Sequence, residues 1–237
     1  MSYPERIVPD ETEPGVVALH LKRYEFARPI CAARDVLDAA CGVGYGSAYL
    51  AEAARRVIGL DASGEALAYA RRRYSHPSVE YVQGDLQELP FPAASFDVVC
   101  AFEAIEHLDE PERFLVRAAD VLRDDGVLVA STPNVPETTR TPANPYHRIE
   151  VSPRDFERLL RRSFAHVALY GQRRLLTTRH RLAQRVDVLG LRRRVPALRR
   201  ASTLTGSSAT EDVRLDELEI APDAFANATE IVAVCRK

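Results

Sequence analysis

The residues best suited to chemistry in this 237-residue chain are the acids and the imidazole of Glu103-Ala-Ile-Glu106-His107. If a helical turn begins near Glu103, then Glu103, Glu106 and His107 fall on one face at spacings of three and four. Two carboxylates and an imidazole so placed can position a hydroxyl group and accept its proton. They can also hold a hard divalent cation. A second imidazole, His147, lies in the stretch NPYHRIEVSPRDF, with Glu150 three residues on. The same letters also suit a pocket without an ion, in which a histidine is a plain general base or only lines the wall.

A second group of residues suits a nucleotide. VLDAACGVGYGSAYLA, residues 36–51, supplies Gly42, Gly44 and Gly46 just before a helical pattern. Glycine is needed where the backbone bends sharply and passes close to a ligand. Alone, such a turn also serves dinucleotide enzymes. Asp61, in VIGLDAS, is an acid that can accept hydrogen bonds from both hydroxyls of a ribose. Asp85, in VQGDLQELPF, can meet an adenine amino group. A nicotinamide oxidoreductase would explain the glycines and Asp61, but would leave Asp85 and the E-x-x-E-H element without a role.

These residues need a scaffold, and the middle of the chain predicts one. Short β-rich runs alternate with helical patterns, which argues for a parallel α/β sheet with helices on both faces. Strands are expected at 36–40, 57–61, 79–83, 96–102 and 127–132. Their unbroken apolar runs suit strands buried on both faces. Helices are expected at 46–54, 64–74, 111–123 and 153–162. Ser63 and Ser152 are candidate N-caps, the latter followed by Pro153 and Asp155, and Asp109 with Glu112 suits a capping box. A helical stretch at 15–28 precedes the core, and two further strands are expected at 165–170 and 229–235. This makes a seven-stranded, mostly parallel sheet with a long insertion before its last strand.

At this point the chain resembles the class I methyltransferases that use S-adenosylmethionine (SAM), with a Rossmann-like fold. The elements follow the family's order through FDVVCAFEAIEHL (96–108) and LRDDGVLVASTPN (122–134). The resemblance implies SAM as cofactor and methyl transfer as the reaction. It implies that Asp38 lies near the methionine amino group and that Ala40, Gly42, Gly44 and Tyr45 line the turn. It also places the ribose on Asp61 beside Ala62, the adenine between Asp85 and Leu86, and the transferred methyl near Phe102 and Glu103. On the first helix, His20, Arg23 and Tyr24 share a face; in related enzymes a helix here covers the cofactor, and an arginine can pair with its carboxylate. The E-x-x-E-H element with a late histidine is similar to metal-dependent O-methyltransferases. That similarity implies a Mg²⁺ held by Glu103, Glu106, His107 and His147, which would leave Glu150 as a candidate base. The segment around NPYHRIEVSPRDFERLL resembles bacterial saccharide methyltransferases, among them one acting in mycobacterial methylmannose polysaccharide synthesis. A small phenolic metabolite or an RNA 3′ end is the alternative acceptor, and a non-catalytic SAM-binding protein is the alternative class.

Composition bounds the partners. A net charge of −2 gives no global pull toward nucleic acid or a membrane surface. No apolar run approaches the roughly 20 residues that span a bilayer. The polar opening MSYPERIVPDETEPG does not read as a signal peptide, so a cytoplasmic location is expected. Cys31, Cys41, Cys100 and Cys235 form no C-x-x-C pair and read as reduced thiols. One domain is expected: a helical cap over 1–34, a SAM-binding core over 35–170, an insertion or lid over 171–228, and a last strand over 229–237. The insertion has a basic half and an acidic half, which could meet a substrate or a homodimer partner. It carries no aromatic before Phe225 on which single-stranded RNA could stack.

Overall fold

A computed structural model of the chain describes residues 6–175, 213–222 and 224–237. The basic half of the expected insertion lies almost entirely outside them. The elements run α1 (Pro14–Cys31), β1 (Asp35–Ala39), α2 (Tyr45–Ala51), β2 (Arg56–Asp61), α3 (Gly64–Arg73), β3 (Val79–Gln83) and β4 (Phe96–Ala101). They continue through α4 (Pro111–Val121), β5 (Leu122–Pro133), α5 (Pro153–Leu160), β6 (His166–Arg174), β7 (Leu218–Ala221) and β8 (Glu230–Arg236). Single 3₁₀ turns sit at Ile105–His107, Leu215–Glu217 and Phe225–Asn227.

The strands form one sheet in the order β3-β2-β1-β4-β5-β8-β6-β7. The first five are parallel, and β8 runs antiparallel between β5 and β6. This is the doubly wound, Rossmann-like fold expected, with one more strand than the seven predicted. The extra strand, β7, pairs antiparallel with β6 at the sheet edge and falls inside the stretch read as an insertion. Its four residues, LEIA, are too short to stand out as a strand in the sequence. Beside it, Arg173 pairs with Glu219 and Arg174 with Glu217 at 2.8 Å, so these acids meet arginines of the same chain.

Parallel strands must be covered on both faces, and both cores are apolar. One is centred on Leu37, Val99, Phe114, Leu128 and Phe156, the other on Ala27, Val36, Val98 and Val129. Ser63 and Ser152 cap α3 and α5 as expected, each accepting from a backbone N–H three residues on. The box expected at Asp109 does not form. Glu110 is the N-cap of α4, without a side-chain bond, and Asp109 instead pairs with Arg148 at 3.5 Å. The four cysteines are buried and free, with Cys31 and Cys100 Sγ atoms 3.9 Å apart. Among the described residues no helix is long and apolar enough to cross a membrane.

Candidate active site

In doubly wound sheets ligands bind beyond the carboxyl ends of the strands, where the strand order reverses. Here that point lies between β1 and β4. A cavity of about 560 Å³ opens there. It is lined by residues that follow β1 (Ala40 to Val43, and Tyr45), β2 (Asp61 to Ser63), β3 (Asp85, Leu86) and β4 (Phe102 to Ala104, His107, Leu108), and by His20 and Tyr24 of α1.

The turn after β1 is set by its glycines. Gly42 has φ +56 and nothing within 4 Å of where a Cβ would stand, so its bare face opens into the cavity. Gly46 is needed for packing: a Cβ there would lie 2.0 Å from the ring of Tyr24. Asp61 closes the turn. Its Oδ2 accepts the Gly42 N–H at 2.9 Å and its Oδ1 the Ser63 N–H at 2.8 Å. Each oxygen keeps a second lone pair for another donor. Asp85 is exposed and its Oδ1 accepts the Gln87 N–H, fixing its rotamer beside Leu86.

Three residues assigned to the cofactor do not line the cavity. Asp38 is fully buried one layer below, held by the hydroxyls of Ser47 at 2.6 Å and Tyr24 at 3.3 Å. Burial pushes its carboxyl up to about 7, against those two hydrogen bonds. Gly44 packs against Tyr81, and its carbonyl accepts that residue's hydroxyl. Arg23 is fully buried beside β6 and β8, 3.4 Å from Gln172 Oε1 and 3.6 Å from Glu230 Oε2. Its Nε and Nη2 have no hydrogen-bond partner. Burial opposes its charge, and Glu103, Glu230 and Glu106 around it hold that charge in place. The neighbouring His20 is kept neutral, first by burial and then by Arg23.

At the other end of the cavity the expected helical turn is a 3₁₀ turn that starts only at Ile105. Glu103 stands before it with φ +48, and its Oε1 accepts the Ser131 hydroxyl at 2.8 Å. It therefore does not share a helical face with Glu106 and His107, and of the four residues expected to converge only three do so. Glu106, His107 and His147 each bring one ligand atom within 4.8 Å of the others. The imidazoles stand edge to face with centroids 5.0 Å apart. His107 Nδ1 lies 3.1 Å from the Tyr146 carbonyl, and His147 Nδ1 lies 2.8 Å from Glu150 Oε1. Contacts of this kind on Nδ1 orient metal-binding histidines toward ligation through Nε2; His147 Nε2 lies 3.1 Å from the side-chain amide of Asn144. Glu150 is thus occupied as a partner of His147. Glu106 is 1% exposed, and neither carboxylate oxygen has a hydrogen-bond partner. Burial, then the charge of Glu103, push its carboxyl well above the usual range, against its own backbone N–H, the pull of Arg23 and the nearby Thr132 hydroxyl.

Arg6, Ile7 and Val43 also line the cavity, and the sequence reading missed them. The signal for the first two was the apolar pair Ile7-Val8 inside an otherwise polar opening.

Residues 37–130 match a family model described as a methyltransferase domain. A Mycobacterium tuberculosis protein named "Probable S-adenosylmethionine-dependent methyltransferase" is 43% identical over 172 residues, 70% of this chain and 62% of that protein. The chain therefore spans about three fifths of that relative's length. A Mycolicibacterium smegmatis fatty-acid O-methyltransferase is 39% identical over 95 residues, 39% of this chain and 35% of that protein. Among solved structures, a Burkholderia thailandensis 1,6-didemethyltoxoflavin-N1-methyltransferase with bound S-adenosylhomocysteine shares the fold at a TM-score of 0.58 and 21% identity, with 93% of this chain and 78% of that one covered. The glycine turn, Asp61 at the end of β2, Asp85 after β3 and the doubly wound sheet lie where these matches fall: the chain has the Rossmann-like methyltransferase fold, and its residues 37–130 match the methyltransferase domain.

Proposed function

We propose that the chain binds SAM in this cavity and transfers its methyl group to a hydroxyl oxygen of a saccharide, assisted by a divalent ion such as Mg²⁺. The observation that carries the hydroxyl and the ion is Glu106. A carboxyl buried without a well-formed hydrogen bond is costly, and in its ionised form it calls for counter-charge beside that of Arg23. Two oriented imidazoles within ligand reach supply the rest of a mixed N/O donor set. The sugar rests on the resemblance of the NPYHRIEVS segment, whose His147 and Glu150 form one side of the cluster.

The chain's own residues divide the work. The free lone pairs of Asp61 take the ribose hydroxyls, Asp85 and Leu86 take the adenine, and the bare face of Gly42 lets the cofactor lie against the backbone. Phe102 and Glu103 then face the methyl end of the cavity, where His107 also stands. SAM is already activated, so the site must align the acceptor oxygen with the methyl and keep water out. Glu106, His107 and His147 would hold the ion, which supplies charge that lowers the pKa of a ligated hydroxyl. Glu150 orients His147 through Nδ1, and an ion on Nε2 would take the place of the Asn144 amide that lies 3.1 Å from it.

Labelled SAM offered with mannosides, glucosides, catechol and fatty acids, with Mg²⁺ or with a chelator, tests this reading. Methylation of a sugar that stops in chelator supports it. Sugar methylation indifferent to chelator removes the ion and leaves a histidine as base. Transfer to another acceptor alone overturns the saccharide assignment.

A further inference from the structure

Residues 6–12 cross the adenosine end of the cavity, and nothing in the reaction assigned above uses them. Arg6 Nη2 lies 3.9 Å from Asp61 Oδ1, the carboxylate that would receive the ribose. Both side chains are largely covered, at 13% and 14% exposure. Ile7 lines the cavity beside Arg6. Val8 is 4% exposed and plugs a small apolar cluster with Val43, from the glycine turn itself, and Ala66 of α3. The strap then folds back: the Glu11 N–H donates to the Val8 carbonyl at 2.8 Å, and the Val8 N–H donates to Thr12 Oγ1 at 3.2 Å. Asp10 fixes the far side, 3.3 Å from both the Tyr69 hydroxyl and Arg73 Nε on α3.

These contacts are of two kinds. The Val8 plug and the Asp10 pair touch only parts of the protein that a ligand would not displace. The Arg6–Asp61 pair engages the group a ribose needs. We infer that residues 6–12 are a latch over the cofactor site, anchored by Val8 and Asp10, in which Arg6 holds Asp61 until the ribose hydroxyls take its place. The inference rests on the cofactor reading above. Exchange of Arg6 for ribose on Asp61 gates access, and the closed strap slows escape. Arg6 is therefore a gating residue and Val8 the anchor of the cover.

Surface plasmon resonance of S-adenosylhomocysteine on the immobilised full chain tests it without any acceptor. Arg6→Ala removes a partly covered ion pair and should raise the association rate by about fivefold; Arg6→Lys should restore most of the wild-type rate. Val8→Asp unseats the anchor, and losing a buried valine should raise the dissociation rate by about tenfold or more. Arg6→Ala leaves the Val8 and Asp10 anchors in place, so it decides the matter should Val8→Asp fail to fold. Wild-type binding with unchanged rates in both variants overturns the latch and leaves the cofactor reading standing. No binding by the wild-type chain overturns both.

Discussion

The two ends of the same strands treat their acids in opposite ways. β1 begins at Asp35 and reaches Asp38 three residues later; β4 begins with Phe96-Asp97 and delivers Glu103 and Glu106 just past its far end. At the starting end, Asp35 and Asp97 both meet Arg55 and Arg123, and Asp97 also accepts the Asp35 N–H at 2.7 Å. The hydrogen bond from Arg55, helped by Arg123, holds the Asp35 carboxyl down to about 2. At the far end, burial raises Asp38 to about 7 and lifts Glu106 well above its usual range. Residue type does not separate these acids; supply of partners does. The starting end is complete without a ligand. At the far end Asp38 has two hydroxyl donors and no cation of its own, and Glu106 is buried with both oxygens lacking a well-formed hydrogen bond, which is how perturbed groups mark a site for chemistry.

The sharpest way to break this contrast is Glu106→Gln, which keeps the shape and removes the charge. Methyl transfer should fall about a thousandfold, within the range for losing acid–base or ion-held assistance. On the proposed reading Mg²⁺ or Mn²⁺ should raise the melting temperature of the wild-type chain, and that shift should vanish as well. Equal shifts in both proteins would mean that Glu106 is no ligand and that its burial is structural. Next in size is Asp61→Ala. The two ribose hydrogen bonds proposed for this carboxylate would be lost, each of the charged kind worth about 1.5–3 kcal/mol, so affinity for S-adenosylhomocysteine should drop about a hundredfold or more by calorimetry. Unchanged affinity would remove Asp61 from the site.

How much of this was legible follows the same divide. The strands and the turn after β1 were readable because backbone geometry writes itself locally: unbroken apolar runs, a glycine where φ is positive, a serine three residues before an N–H it caps. Asp61 and Asp85 stand on the cavity wall because one ends β2 and the other follows β3 by two residues, places a strand pattern marks. Glu103 was misplaced by treating 103–107 as one regular turn, since a spacing pattern cannot reveal that Glu103 takes φ +48 and leaves the helix. Asp38 and Arg23 were assigned to the ligand, although the structure places both beneath the cavity wall. That depends on Tyr24 crossing Gly46 and on β6 and β8 packing beside α1, contacts between residues far apart in the chain. The strap was missed for the same reason, because Arg6 meets Asp61 across more than 50 positions.

Smaller effects sharpen the contrast through pH. Asp38 binds its proton more tightly when folded (about 7) than when unfolded (about 3.9), so its contribution is fully present at low pH. It is lost as pH rises through the window from about 4 to 7, by up to about 4 kcal/mol at 1.4 per unit. Asp38→Asn has nothing to titrate. The wild-type chain should therefore melt higher relative to Asp38→Asn at pH 5 than at pH 7.5, and parallel melting curves would show that burial does not raise Asp38. Asp35 should behave in the opposite sense. Its folded value of about 2 lies below the unfolded one, so its contribution is present at neutral pH and disappears as pH falls from about 4 toward 2. The group is only partly buried and its partner Arg55 is exposed, so its ion pairs are screened and this is the smallest effect. The melting gap between wild type and Asp35→Asn should be positive at pH 6 and close on acidification, the reverse of Asp38. If both gaps moved in the same direction with pH, the two ends of the sheet would not differ in how they meet their acids, and the orphaned carboxyls at the far end would lose their meaning as a site.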